Sequence, residues 1–138
     1  METKTSPYLL IFRDASSDVY KSMSAEQRQQ LLQQWNEWYD GLAAKGKVQH
    51  GHPLEPQGRV VSGSRGERVV DGPFAETTEA IGGYFLLTVA DLEEATEIAQ
   101  RCPSLAYGMV VEVRPIAEAC AALGVRGRPH STRELASA

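Results

Sequence analysis

Strand, helix, strand, hairpin, strand, helix, strand is the order that the apolar patterning of this chain predicts, which makes it an α+β protein. Three observations carry that prediction. Tyr8–Phe12 and Tyr84–Val89 are continuous apolar runs, the pattern of central strands covered on both faces. Two segments with helical apolar spacing follow them, and each opens on a capping pattern. Between the two halves lie two short β-prone runs separated by a glycine-flanked gap. Two βαβ-like halves with an inserted hairpin predict a ferredoxin-like sandwich with its helices on one sheet face.

The first strand is Tyr8–Phe12, ending at Arg13-Asp14. Ser24 opens the first helix, because Gln27 three residues on completes a Ser-x-x-Gln capping box. Leu31, Trp35, Trp38 and Leu42 step by four, three and four, and Leu32 and Tyr39 broaden the stripe. The opposite face is polar, and Gly46 stops the helix after about Lys45. A strand is expected over Val48–Leu54, closed by Pro53 and Pro56. Arg59–Ser62 and Glu67–Val70 flank Gly63-Ser64-Arg65-Gly66 as a hairpin. After the Tyr84–Val89 strand, Asp91 with Glu94 opens a second helix whose inner face is Leu92, Ala95, Ile98 and Ala99. Cys102-Pro103 ends that helix, and Tyr107–Val113 is the last strand, closed by Pro115. Beyond it, Ala117–Leu123 reads as a further helical piece, followed by a tail broken by glycine and proline.

The 138 residues suit one domain with its own core. The expected organisation is an N-terminal extension over 1–7, the domain over 8–116, and a tail over 117–138. A net charge of −4 argues against nucleic-acid binding, which needs a basic face. No apolar run approaches the roughly 20 residues that span a bilayer, and no signal-peptide pattern opens the chain. Cys102 and Cys120 lack the spacing of a disulfide framework or a zinc-cysteine site, so two free thiols in a reducing cytoplasm are expected. Both predicted central strands are apolar on both sides, and one helical layer covers only one face. Sheet-to-sheet pairing in a homodimer would cover the second.

Asp71-Gly72-Pro73-Phe74-Ala75-Glu76 is the least generic stretch. Pro73 pushes Gly72 toward an extended conformation, and Asp71 can close an Asx-type turn, so a rigid corner is expected. This segment, with Gly82-Gly83-Tyr84, Asp91-Leu92-Glu93-Glu94-Ala95 and Val111-Glu112-Val113-Arg114-Pro115-Ile116, resembles the YCII-related small bacterial proteins of the DGPF type. The likeness covers about Tyr8–Ile116. It implies a dimeric α/β-barrel built from ferredoxin-like subunits, each with a pocket. In the wider family a His–Asp pair is the proposed catalytic feature, some relatives dehydrohalogenate ring-derived substrates, and some members are encoded beside extracytoplasmic-type sigma factors. This chain has no histidine in the expected first helix. Its histidines are His50, His52 and His130, so that role does not transfer directly.

Asp71 is the first candidate catalytic residue, either as a general base or as an acceptor for turn amides. His50 and His52 are the second. Two apart in a strand, they share a face, where they would serve acid–base chemistry or simply end a strand. A metal needs a third ligand, and no spacing supplies one, so neither metal nor cofactor is expected. Phe74, Glu76 and Tyr84 are the pocket-lining candidates. Glu79, Thr77 and Thr78 read equally as a solvated face. Trp35 and Trp38 read as core or dimer contacts. The expectation is a homodimer with a pocket for an unknown small molecule, acting as a lyase- or isomerase-like enzyme through Asp71. The alternative is a non-catalytic ligand-binding or accessory protein tied to sigma-factor or transcriptional regulation.

Overall fold

The computed structural model describes residues 4–13, 17–72 and 80–117. Four strands form one antiparallel sheet: β1 (Ser6–Arg13), β2 (Val48–Pro53), β5 (Ile81–Val89) and β6 (Val110–Pro115), in the order β2-β5-β1-β6. β3 (Arg59–Ser62) and β4 (Arg68–Asp71) pair only with each other, as a separate two-stranded ribbon. The helices are α1 (Ser17–Lys21), α2 (Ala25–Ala44) and α3 (Leu92–Ala99), with a 3-10 turn at Pro103–Tyr107. The chain is a mixed α and β protein with an antiparallel sheet, and the described residues form no closed barrel.

α2 starts where the capping box places it. Ser24 Oγ accepts the Gln27 amide at 3.1 Å, and Gln27 Oε1 accepts the Ser24 amide at 2.8 Å. It stops where glycine is needed, since Gly46 has φ 71°, a region that costs a residue with a Cβ. The short α1 has no counterpart in the sequence expectation, because five residues are too few to show an apolar period. β6 begins at Val110 rather than Tyr107. Pro103 seeds the 3-10 turn, and Gly108 at φ 91° reverses the chain before the strand can start. The expected helical piece over 117–123 and the tail after it lie outside the described residues, save Ala117.

Side chains alternate as strand geometry dictates. Tyr8, Leu10 and Phe12 of β1 and Phe85, Leu87 and Val89 of β5 face the helices and are buried. Ala95, Ile98 and Ala99 of α3 and Leu42 of α2 close over them. Leu92, expected on the inner face of α3, is instead exposed at the helix start. Leu9, Ile11 and Leu86 alternate onto the other face and are half-buried, beside Glu112.

A β-bulge decides where the histidines go. Val48 pairs with Leu87 but His50 pairs with Leu86, so β2 gains one residue at Gln49. That extra residue leaves Val48 on the helix face and puts His50 and His52, opposite Leu86 and Tyr84, on the other. Without the bulge, both imidazoles would share the face of Val48.

Candidate functional site

The helix side of the sheet is rich in aromatic rings. Phe12 meets Phe85 and Trp35 edge-on at 4.9 Å each, and Tyr39 meets Phe85 at 5.3 Å. Leu31, Trp35 and Tyr39 share one stripe of α2 because they are four residues apart. Between α2 and the sheet, these rings line a half-open cavity of about 540 Å³. Phe12 and Phe85 contribute from β1 and β5, Leu31, Trp35 and Tyr39 from α2, and Ser104 and Met109 from the segment before β6. A volume of that size suits a small organic molecule. Leu32, expected in the buried stripe, is 56% exposed and borders the mouth, because the stripe there runs past the sheet edge.

Two glycines bring the backbone close to the rings. A Cβ on Gly51 would lie 2.3 Å from Phe85 Cδ1 and 2.8 Å from the Tyr84 carbonyl oxygen. One on Gly83 would lie 3.0 Å from the His52 carbonyl oxygen. The polar groups around the cavity are few. Ser104 is 1% exposed, and Trp35 Nε1 donates to its Oγ at 2.8 Å. Arg28 borders the cavity and donates from Nε and Nη2 to the Met23 carbonyl, at 3.3 and 3.1 Å. Asn36 completes the polar lining with Tyr20 and Tyr39, and His52 borders the cavity although its imidazole lies on the other sheet face.

The structure brings His50, His52 and Tyr84 together. Their ring centroids lie 5.7 to 5.9 Å apart, and 3.3 Å separates Tyr84 Oη from His50 Nδ1 in a hydrogen bond. Only His52 of the three also borders the cavity; Tyr84, expected to line a pocket, sits on the other sheet face. Asp71 is elsewhere. It is the last residue of β4, opposite Arg59, whose Nη1 lies 3.0 Å from its Oδ1. Its side chain is 88% exposed, and it does not line the cavity. Phe74, Glu76 and Glu79 lie outside the described residues.

Two carboxylates elsewhere are paired. Glu112 accepts from Arg114 at 2.9 Å and from Arg13; the Arg114 hydrogen bond, then Arg13, holds its carboxyl below the usual range. Glu94 is held low by the Ala90 amide and by Lys47. Burial pushes the Cys102 thiol up to about 11, which keeps it protonated and a poor nucleophile. Among the described residues, no group of three or more His, Cys, Asp or Glu side chains converges as a metal site. Among them, too, no helix is long and apolar enough to cross a membrane.

Sequence reasoning missed Gly51, Ser104 and Arg28. A glycine inside a strand marks close backbone approach, so Gly51 carried a usable signal. Ser104 carried none, since a serine after proline reads as an ordinary turn residue.

The fold and cavity define an antiparallel-sheet α+β protein with an aromatic-lined pocket beneath its long helix. Residues 7–119 match the YCII-related domain, and the chain belongs to that family. No curated protein matches the chain.

Proposed function

We propose that this protein binds a small, largely apolar aromatic molecule in the cavity beneath α2. The cavity itself carries the reading: about 540 Å³ walled by Phe12, Trp35, Tyr39 and Phe85, with few polar groups. The strand order, with two interleaved βαβ units, supports a ferredoxin-like sandwich. Leu9, Ile11 and Leu86 on the helix-free face support its pairing with a second copy as a dimeric α/β-barrel. Two cysteines without pairing spacing support action in the cytoplasm.

The test is an amide NMR titration with ethylbenzene and with acetophenone. Saturable shifts confined to residues around the cavity are expected, and Leu32→Trp, which plugs the mouth, should abolish them. Shifts scattered over the surface, or untouched by the plug, would rule the cavity out as a binding site.

A lyase- or isomerase-like step is the second reading. The cluster of His50, His52 and Tyr84 favours it, three hydrogen-bonding side chains gathered on the helix-free sheet face. Asp71 contributes less support than the sequence suggested, because it is exposed and paired with Arg59. The binding reading is also the one compatible with an accessory role in regulation.

A further inference from the structure

We infer that Ser104 donates its hydroxyl proton to the molecule in the cavity, so that the pocket favours aromatic ligands carrying a neutral carbonyl oxygen. The inference rests on the cavity being a binding site, and it follows from donor and acceptor accounting. An indole N–H can only donate. Trp35 Nε1 lies 2.8 Å from Ser104 Oγ, so the serine oxygen accepts in that bond. The serine hydroxyl then has one proton left to give. Among the described residues that proton meets no acceptor, although Ser104 is 1% exposed and lines the cavity. A buried donor left without a partner is costly, and a ligand oxygen relieves the cost.

The same geometry sets the polarity of the ligand. Trp35 takes one of the two lone pairs of the serine oxygen, whereas its proton is wholly unspent, so a ligand acceptor directed there satisfies the group that lacks a partner. The depth of Ser104 sets its charge. A carboxylate held against Ser104 would lose its hydration for one neutral donor, because the Arg28 guanidinium at the cavity border already donates to the Met23 carbonyl. A ketone, aldehyde or ester oxygen loses far less. Phe12, Phe85 and Trp35 around it fit the aromatic ring that would carry such a group.

The experiment uses acetophenone labelled with carbon-13 at the carbonyl, with ethylbenzene as the probe of matching shape that lacks the oxygen. In the wild-type protein the bound carbonyl resonance should move downfield of its value in an apolar solvent. Ser104→Ala should return it to that value and weaken acetophenone about tenfold, while ethylbenzene changes less than twofold. Ser104→Ala leaves the Trp35 N–H without its acceptor and is at risk of misfolding. The paired variant Ser104→Ala with Trp35→Phe removes both partners and should show the same loss of carbonyl shift. If acetophenone binds in the cavity with an unshifted carbonyl, or Ser104→Ala weakens both probes equally, the donor role is wrong and the cavity reading survives. If neither probe binds, the cavity reading fails and takes this inference with it.

Discussion

Gly51 joins the histidine strand to the cavity through the atom it lacks. Its neighbours His50 and His52 point to the helix-free face, which leaves Gly51 facing the Phe85 ring. Gly51→Ala would place a methyl 2.3 Å from that ring and 2.8 Å from the Tyr84 carbonyl oxygen, which belongs to the ladder and cannot retreat. Phe85 could move only by breaking its edge contact with Phe12 and its contact with Tyr39. The expected cost is about 1–3 kcal/mol, the usual range for overpacking. Urea unfolding checks it, as a lower midpoint at unchanged slope. Gly46 is the control, because a Cβ there meets open space and only its positive φ opposes substitution. Gly46→Ala should therefore cost less, about 1 kcal/mol. Equal losses at the two positions would mean that the Phe85 contact is not what demands glycine at 51.

At the scale of elements, α2 is the clearest case of local chemistry choosing a boundary. Its capping box joins Ser24 and Gln27 by two reciprocal hydrogen bonds at the exposed start of the helix. Ser24→Ala should cost about 1 kcal/mol and fray the first turn, seen as faster amide exchange at Gln27 and Arg28. Uniform acceleration along α2 would instead mean that the cap does not act locally. The same helix shows what a sequence can and cannot disclose. The Ser-x-x-Gln pattern, the leucine and tryptophan spacing and Gly46 are local signals, and they placed both ends. Whether Leu32 is buried depends on how far the sheet extends beneath the helix, which no spacing encodes. The hairpin was legible for the same local reason, through Gly63 and Gly66, both at positive φ. The cavity was not. Its lining comes from β1, α2, β2, β5 and the turn before β6, and each residue alone looks like core or loop. The Asp71 segment stands out by its unusual composition, whereas the cavity is built from common residues brought together by topology.

At the scale of the molecule, the open question is the sheet face that α2 and α3 leave free. Leu9, Ile11 and Leu86 form its apolar centre, and the central strands β1 and β5 carry them. Polar groups border the patch on both edges: His50 and His52 on β2, Glu112 and Arg114 on β6. An apolar centre with a charged rim is the anatomy of a protein interface, and a second copy can match it through a two-fold axis. Glu112 gives the fold itself a pH dependence. Glu112 is held below the usual carboxylate range by Arg114 and Arg13, so its contribution is present above about pH 4.5, the ordinary value. It is lost as pH falls through the lowered value, so the fold should weaken in acid. Light scattering at micromolar concentration should give twice the chain mass at neutral pH. Leu86→Lys would bury an unpaired ammonium at the centre of the contact, at a cost of at least about 3 kcal/mol, more than a hundredfold in dissociation constant. That variant should run as a monomer and retain its helical circular dichroism, because Leu86 faces away from the core that holds α2 and α3. A wild-type monomer would defeat the pairing outright. A dimer indifferent to Leu86→Lys would move the contact to another surface, with the exposed valines of the β3–β4 ribbon next in line.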